Sequence, residues 1–226
     1  MNDANTTVGS TVYHQIKHDI IFGELAPGAK LKLNALKERY AASLSTLRET
    51  LNRLASEGFV DAPAQRGFFV RDVSPEDLSE IAGLRILLEC HALELSLANG
   101  DTEWESNLVA AHHKLSRMEK KMLLGDKSSK ETWKRYDWEF HLATIQACRS
   151  QNLLDLHSII YDKYLRYQNL VLTHRGEIAS QEHADLLDAA IFRDADRAKD
   201  LLKKHIIGGL AHTSDAMDWK MVDTYA

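Results

Sequence analysis

Two cysteines in 226 residues, Cys90 and Cys148, are too few and too far apart for a disulfide framework, a zinc knuckle or a redox pair. Both are expected as reduced thiols packed inside a cytoplasmic protein. No apolar stretch approaches the ~20 residues that a bilayer-spanning helix needs. The first residues, Met1-Asn2-Asp3-Ala4-Asn5-Thr6-Thr7, have neither the basic start nor the apolar run of an export signal, so no membrane partner is expected. Internal repeats and low-complexity tracts are also missing, which argues against a solenoid. Nor is there a basic excess: the net charge is -5, a balance that taken as a sum speaks against nucleic-acid binding. What remains, 44% hydrophobic and 27% charged residues, is an ordinary globular composition long enough for one large domain or two modest ones.

The charge is unevenly placed. Through Ser74 there are 9 Lys+Arg against 8 Asp+Glu, and the remainder holds 19 against 25. Within residues 30–53 the bases Lys30, Lys32, Lys37, Arg39, Arg48 and Arg53 are opposed only by Glu38 and Glu49, the modest footprint of a small DNA-binding module. In that stretch Ser43 is a good N-cap, Leu47, Leu51 and Leu54 recur at helical spacing, and Gly58 supplies a stop. Ser45, Thr46 and Arg48 lie near the helix start and off the apolar stripe. Short hydroxyls and an arginine so placed suit phosphate contacts and base-edge reading in a major groove, with Arg53 a further cation on the same helix. On this stretch alone an ordinary surface helix is equally open.

Upstream, Val12, Ile16, Ile20 and Ile21 outline one amphipathic helix, which the Pro27-Gly28 pair breaks with a turn. Leu33, Leu36 and Tyr40 outline a second, short one. Two short helices joined tightly, the second polar and basic at its start, form a helix-turn-helix pattern. Phe59-Val60-Asp61-Ala62 and Phe68-Phe69-Val70 then read as strands around Gln65-Arg66-Gly67, a hairpin or wing with Arg66 and Gly67 at its tip. Arg66 is a candidate for a sugar-phosphate contact, with a plain solvated turn as the alternative.

Phe22-Gly23-Glu24-Leu25-Ala26-Pro27-Gly28, Leu36-Lys37-Glu38-Arg39-Tyr40, Leu47-Arg48-Glu49, Leu54-Ala55-Ser56-Glu57-Gly58-Phe59-Val60 and Arg66-Gly67-Phe68 closely resemble the winged-helix domain of the GntR family of bacterial transcription regulators. The resemblance spans roughly residues 12–74. Leu44, Thr46 and Thr50 depart from the arginine, proline and alanine frequent there, so operator sequence does not transfer from relatives.

Ser74-Pro75-Glu76-Asp77 is an abrupt new start, with an N-cap, a proline at the first helical position and acids that suit the helix dipole. Helical stretches follow at about 75–98, 102–124, 130–148, 152–173, 178–192 and 194–211, with no strand-like alternation. Asp137 and His141, four apart, share a helix face. His183 and His205 stand about equally far from the break near Arg193 and Asp194, so an antiparallel hairpin would bring them level. Three imidazoles and a carboxylate can converge on a divalent transition metal with coordination positions left open. Scattered, satisfied histidines are the alternative, with 11 to choose from.

Arg85-Ile86-Leu87-Leu88-Glu89, Asp137-Trp138-Glu139-Phe140-His141, residues 148–152, Glu182-His183, Ala189-Ala190-Ile191, Asp194 and His205 look like the effector-binding FCD domain of the FadR-type branch of the same family. The resemblance implies a metal held by Asp137, His141, His183 and His205, zinc first, nickel or manganese next. Each histidine must be neutral to ligate, so affinity is expected to fall below about pH 6. Arg85 interrupts the apolar stripe of Leu78, Ile81, Leu88 and Ala92 and needs an anionic partner. An effector carboxylate is the favoured partner and an internal salt bridge the alternative. Arg166, Tyr161 and Tyr167 are weaker effector-pocket candidates, and Trp133, Tyr136 and Phe140 read as core.

The expected protein is mainly α. A disordered 1–10 precedes a winged helix-turn-helix at 11–74, made of three helices plus a β-hairpin wing; a six-helix all-α FCD-type bundle for effector binding and dimerisation covers 75–213, and 214–226 is a tail. The expected function is a homodimeric repressor of double-stranded operator DNA that answers a small carboxylic acid, and two segments, residues 36–40 and 65–68, resemble regulators of glutarate or related five-carbon acid catabolism. A metal-dependent hydrolase and a purely structural metal are the other readings.

Overall fold

A computed structural model describes residues 8–126, 128, 130–171 and 175–219. Of the expected N-terminus and tail, residues 1–7 and 220–226 lie outside the described residues, whereas residues 8–10, expected to be disordered, are helical. Two units are distinguished: Met1–Leu78 with Asp162–Leu172, and Ser79–Tyr161 with Thr173–Ala226. The division thus falls a turn beyond Ser74, and the end of the seventh helix counts with the first unit.

The first unit begins with α1 (Val8–Ile21), whose Val12, Tyr13, Ile16 and Ile20 are buried at successive turns. α2 (Leu33–Tyr40) and α3 (Leu44–Ser56) pack on it through Leu36, Leu47, Leu51 and Leu54. The turn between them passes through Ala41 at φ 49°, a left-handed residue without glycine's freedom. Ser43 caps α3, its Oγ accepting from Thr46 N at 3.1 Å. At the far end Gly58 takes φ 79°, and an added Cβ would stand 2.7 Å from Lys163 Nζ, so glycine answers both backbone and space there.

Two polar ties hold the trio. Tyr13 donates to Glu57 at 2.6 and 2.8 Å, and Asp19 accepts from Tyr40 at 2.6 Å while pairing with Arg39. The wing strands β2 (Val60–Asp61) and β3 (Phe68–Val70) form the expected hairpin, with a strand the sequence did not announce, β1 (Lys30–Leu31), on the other side of β3. The antiparallel register sets Lys30 against Phe69, Leu31 against Phe68, and Val60 against Val70.

The six further helices are α4 (Pro75–Asn99), α5 (Thr102–Leu123), α6 (Lys130–Ile145), α7 (Gln151–Val171), α8 (Glu177–Ile191) and α9 (Ala195–Ala216). Ser74 caps α4, Asp101 caps α5 and Asp194 caps α9, each accepting from the backbone N–H three residues on. α9 runs five residues past the expected 211, because Leu210, Thr213 and Ser214 are still buried. Within the second unit α5 packs on α6 and α8, and α8 on α9. Trp104 Nε1 donates to Ala143 O at 2.8 Å, pinning α5 to α6. The α8–α9 turn passes through Arg193 at φ 58°, whose guanidinium donates to Leu97 O and Gly100 O at 2.9 Å and covers the Trp104 ring. That anchor fixes the antiparallel hairpin carrying His183 and His205.

Candidate functional site

In the first unit Ser45, Arg48 and Arg66 are exposed and Thr46 is half-buried. The Ser43 hydroxyl stands 2.8 Å from that of Ser45 and 2.9 Å from that of Thr46, so the start of α3 presents a preset hydroxyl cluster with Arg48 beside it. Arg53 is less available: it pairs with Glu57 at 3.3 Å and lies 3.7 Å over the Tyr13 ring, which makes it a brace between α1 and α3. Arg66 and Gly67 sit at the wing tip, with Gln65 at φ 60° and Gly67 at φ 89°. Lys30 of β1 adds a second cation there, packed over Phe69.

In the second unit α6, α8 and α9 bring His141, His183 and His205 together, with one ligand atom of each within 4.8 Å of the others. The His183 and His205 rings are 4.5 Å apart, and His141 stands 5.1 Å from His205. Asp137, one turn before His141, places Oδ1 3.5 Å from His183 Nε2, while its Oδ2 accepts from Tyr161 at 3.0 Å. The three expected histidines are therefore brought together, with Asp137 against His183. Tyr161 joins them through Asp137.

Carboxylates stand behind the rings. His183 Nδ1 is 2.7 Å from Glu119 Oε1, His205 Nδ1 is 2.8 Å from Glu182 Oε2, and His141 Nδ1 is 3.4 Å from Glu89 Oε2. An ionised carboxylate only accepts, so in the first two pairs Nδ1 carries the hydrogen, and in the neutral ring that a metal requires Nε2 keeps its lone pair. The Nε2 of His183 is buried and finds no hydrogen-bond partner among the described residues. A buried orphan acceptor beside a second imidazole and a carboxylate is what a cation would satisfy, and the donor set of three nitrogens and one oxygen fits a divalent transition metal. Two nitrogens on one tetrahedral zinc ion stand ~3.4 Å apart, so the three rings must draw closer together to hold one.

Burial, together with the neighbouring His183, drives His205 from the ordinary 6.5 down to about 3. Burial lowers His141 too, against the pull of Glu89. Protonation of His205 therefore begins well below the pH 6 expected from an ordinary imidazole, and that of His141 is displaced in the same direction. For Asp137 burial acts upward but Lys134 and the imidazoles outweigh it, keeping the carboxylate ionised. Glu182, raised by burial and lowered more strongly by His205 and Arg175, falls to about 2.

Arg85 corrects an expectation. Its guanidinium does not stand open to a ligand: Nε and Nη2 donate to Glu89 at 2.6 and 3.1 Å, one turn along α4, and its plane covers Tyr161 at 4.5 Å. Both ends of the pair are buried, because Arg85 and Glu89 share the inward stripe of α4. The internal salt bridge is the arrangement seen. Glu89, held well below the usual carboxylate range by Arg85 and the two imidazoles despite burial, also faces His157 at 3.1 Å. Arg166 and Tyr167 are likewise corrected: Arg166 donates to Arg71 O, and Tyr167 donates to Asp77 at 2.7 Å. Both brace the segment after the wing within the first unit and are not gathered with Asp137. Trp133 and Phe140 are core, and Tyr136 is half-buried under Lys114 and Arg135.

Sequence reading missed Glu119, Glu182, Glu89, His157 and Lys134. Lys134 is 5% exposed, and burial, partly offset by Asp137, brings its ammonium down to about 8. Glu182 and Glu89 belong to the motifs that resemble the FCD domain, which is a usable signal. Glu119 has none.

Comparison with known proteins agrees with both units. Residues 9–70 match the family described as bacterial regulatory proteins, gntR family, and residues 80–208 match the FCD domain. The HTH-type transcriptional regulator BphR of Paraburkholderia xenovorans is 37% identical over 196 residues, covering 86% of this chain and 80% of that protein. The HTH-type transcriptional repressor GlaR of Escherichia coli is 31% identical over 213 residues, covering 91% and 95%. Among solved structures E. coli McbR/YncC superposes with a TM-score of 0.79 at 22% identity, covering 94% of this chain and all of that one, a likeness of fold. No described helix is long and apolar enough to cross a membrane. Both relatives bear the names of transcriptional regulators, so the hydrolase reading is set aside. With both of its units matched in order, the chain belongs to the GntR family of bacterial transcription regulators, in the branch that carries an FCD domain.

Proposed function

We propose that the chain is a metabolite-responsive repressor whose winged helix grips operator DNA and whose all-α unit binds a divalent transition metal, zinc first, together with a small carboxylate. The observation that carries this reading is the buried, unpartnered Nε2 of His183 facing Asp137, with His141 and His205 beside it. A divalent ion bound by Asp137, His141, His183 and His205 supplies open coordination positions that a carboxylate oxygen can fill. Asp137 brings the compensating charge and is held in orientation by the Tyr161 hydroxyl. Lys134 adds a buried positive charge near Asp137, which favours an incoming anion. Arg85 reaches an effector only if its pair with Glu89 opens. A five-carbon dicarboxylate such as glutarate is the favoured class, on the likeness of the Leu36-Lys37-Glu38-Arg39-Tyr40 and Gln65-Arg66-Gly67-Phe68 segments to regulators of such catabolism.

On DNA, Ser45, Thr46 and Arg48 enter the major groove and Arg66 contacts the backbone beside it, one winged helix of a cytoplasmic homodimer on each half-site. Strong switching requires the effector to distinguish two dimer arrangements by a few kcal/mol. The test is a thermal-shift screen of small carboxylic acids with and without added zinc, followed by metal analysis of His183→Ala. Metal-dependent stabilisation by one acid, and metal lost in the variant, are expected. One metal per chain retained in His183→Ala would show the ligand assignment wrong. The 1% exposure of His141 and His183 also suits a purely structural ion; unfolding on metal removal would favour that reading, and a folded, effector-blind apoprotein the sensor.

A further inference from the structure

We propose that Glu119 and Glu182 are positioning residues that fix the tautomers of His183 and His205 and so create the metal-binding face; this rests on the metal reading above. The two carboxylates come from different places in the chain and do one thing. Glu119, on α5, is 1% exposed and lies 2.7 Å from His183 Nδ1. Glu182, on α8 next to His183, reaches across to α9 and His205 Nδ1 at 2.8 Å.

Glu182 is itself gripped. Arg175 donates to its Oε2 at 2.7 Å and to His205 O at 3.0 Å, lying against the α9 backbone at Gly208. A Cβ on Gly208 would stand 2.7 Å from the Arg175 guanidinium, so the absence of a side chain there is part of the device. Arg175, Glu182 and His205 thus form a chain from guanidinium to carboxylate to imidazole, ending in an Nε2 lone pair.

Burying an ionised glutamate against each ring is unfavourable unless the ring returns a hydrogen bond. Each ring can return one only from Nδ1–H, which leaves Nε2 as a ligand atom in advance of any metal. Such backing also raises the basicity of the ligand nitrogen and typically contributes 10–100-fold to metal affinity. Asp137 and the two backed rings then stand ready without a tautomer change.

The experiment has an arm without metal and an arm with it, both on the full chain. Long-range proton–nitrogen NMR of the chelator-treated protein should show His183 and His205 as Nδ1–H tautomers. Titration with cobalt(II) in competition with a chromophoric chelator should show Glu119→Gln, whose amide oxygen still accepts from Nδ1, weakened about 10-fold with its visible bands preserved. Glu119→Leu should lose about 100-fold and change those bands, with Glu182→Gln and Glu182→Leu behaving alike. Far-UV circular dichroism confirms folding, and if a leucine variant does not fold the glutamine variant decides. Nε2–H tautomers in the wild-type apoprotein, or cobalt affinity unchanged in the variants, overturn the proposal. Wild-type protein that takes up no cobalt would instead overturn the metal reading on which it rests.

Discussion

Replacing His205 by Gln should flatten the acid dependence of the metal-free protein. Burial pushes this imidazole from 6.5 down to about 3, so between those values the unfolded chain takes up a proton that the folded chain refuses. The sign follows: a depressed folded value means full stability above 6.5 and progressive loss as pH falls toward 3. Between pH 7 and pH 5 the integrated loss for one such group is about 2 kcal/mol, and it barely changes for any folded value below about 4. Glu182, whose window runs from 4.5 down to about 2, lies outside that interval. The variant also loses the bond to Glu182, which lowers its stability at both pH values; the readout is therefore the slope and not the offset. Urea unfolding of chelator-treated protein at pH 7 and pH 5 measures it, the wild type losing about 2 kcal/mol more than the variant across the interval. Parallel losses would refute the placement of His205 in a dry site that disfavours the protonated imidazole.

Other outcomes follow from the same geometry. Arg48→Ala should weaken operator binding by about 1–3 kcal/mol in fluorescence anisotropy while leaving oligomeric state and carboxylate binding intact, and unchanged affinity would sink the groove reading of α3. Arg66→Ala should reduce the salt dependence of binding by about one unit of slope, because one fewer phosphate is neutralised whatever the base sequence; an unaltered slope would take the wing off the DNA. Arg85→Ala should destabilise the chain by about 3–5 kcal/mol, because Glu89 is left charged and buried. Unchanged stability with only effector affinity reduced would mean that the pair with Glu89 is not holding the core.

The recognition helix was readable because its signals are local: a cap at Ser43, leucines at 47, 51 and 54, and a stop at Gly58 all lie on one short segment. β1 was not, since two residues show no period and Lys30 and Leu31 become a strand only through Phe68 and Phe69, nearly forty residues on. Helix period and hairpin symmetry allowed Asp137, His141, His183 and His205 to converge, the FCD resemblance singled them out, and the fold gathers the three histidines with Asp137 against His183. Glu119 sits 64 residues from His183, and nothing in its own helix marks it. Arg85 was legible in principle, with Glu89 four residues away on the same inward stripe. Arg166 and Tyr167 failed for phase: at 3.6 residues per turn they stand roughly 140° and 120° around α7 from Tyr161, so one helix could not aim all three at one pocket.

The third strand of the small sheet has a consequence for how the protein searches DNA. With β1 and β2 on either side, β3 has no open edge, and of the wing only the few residues around Gln65, Arg66 and Gly67 project beyond paired backbone. Ordering a residue on binding opposes association by about 1–2 kcal/mol, and most of that ordering is already done here by folding. Arg66 and Lys30 therefore arrive as a stiff pair of charges a fixed distance from α3. On the proposed DNA-bound arrangement, a half-site whose groove spacing differs from that distance cannot meet α3 and Arg66 together.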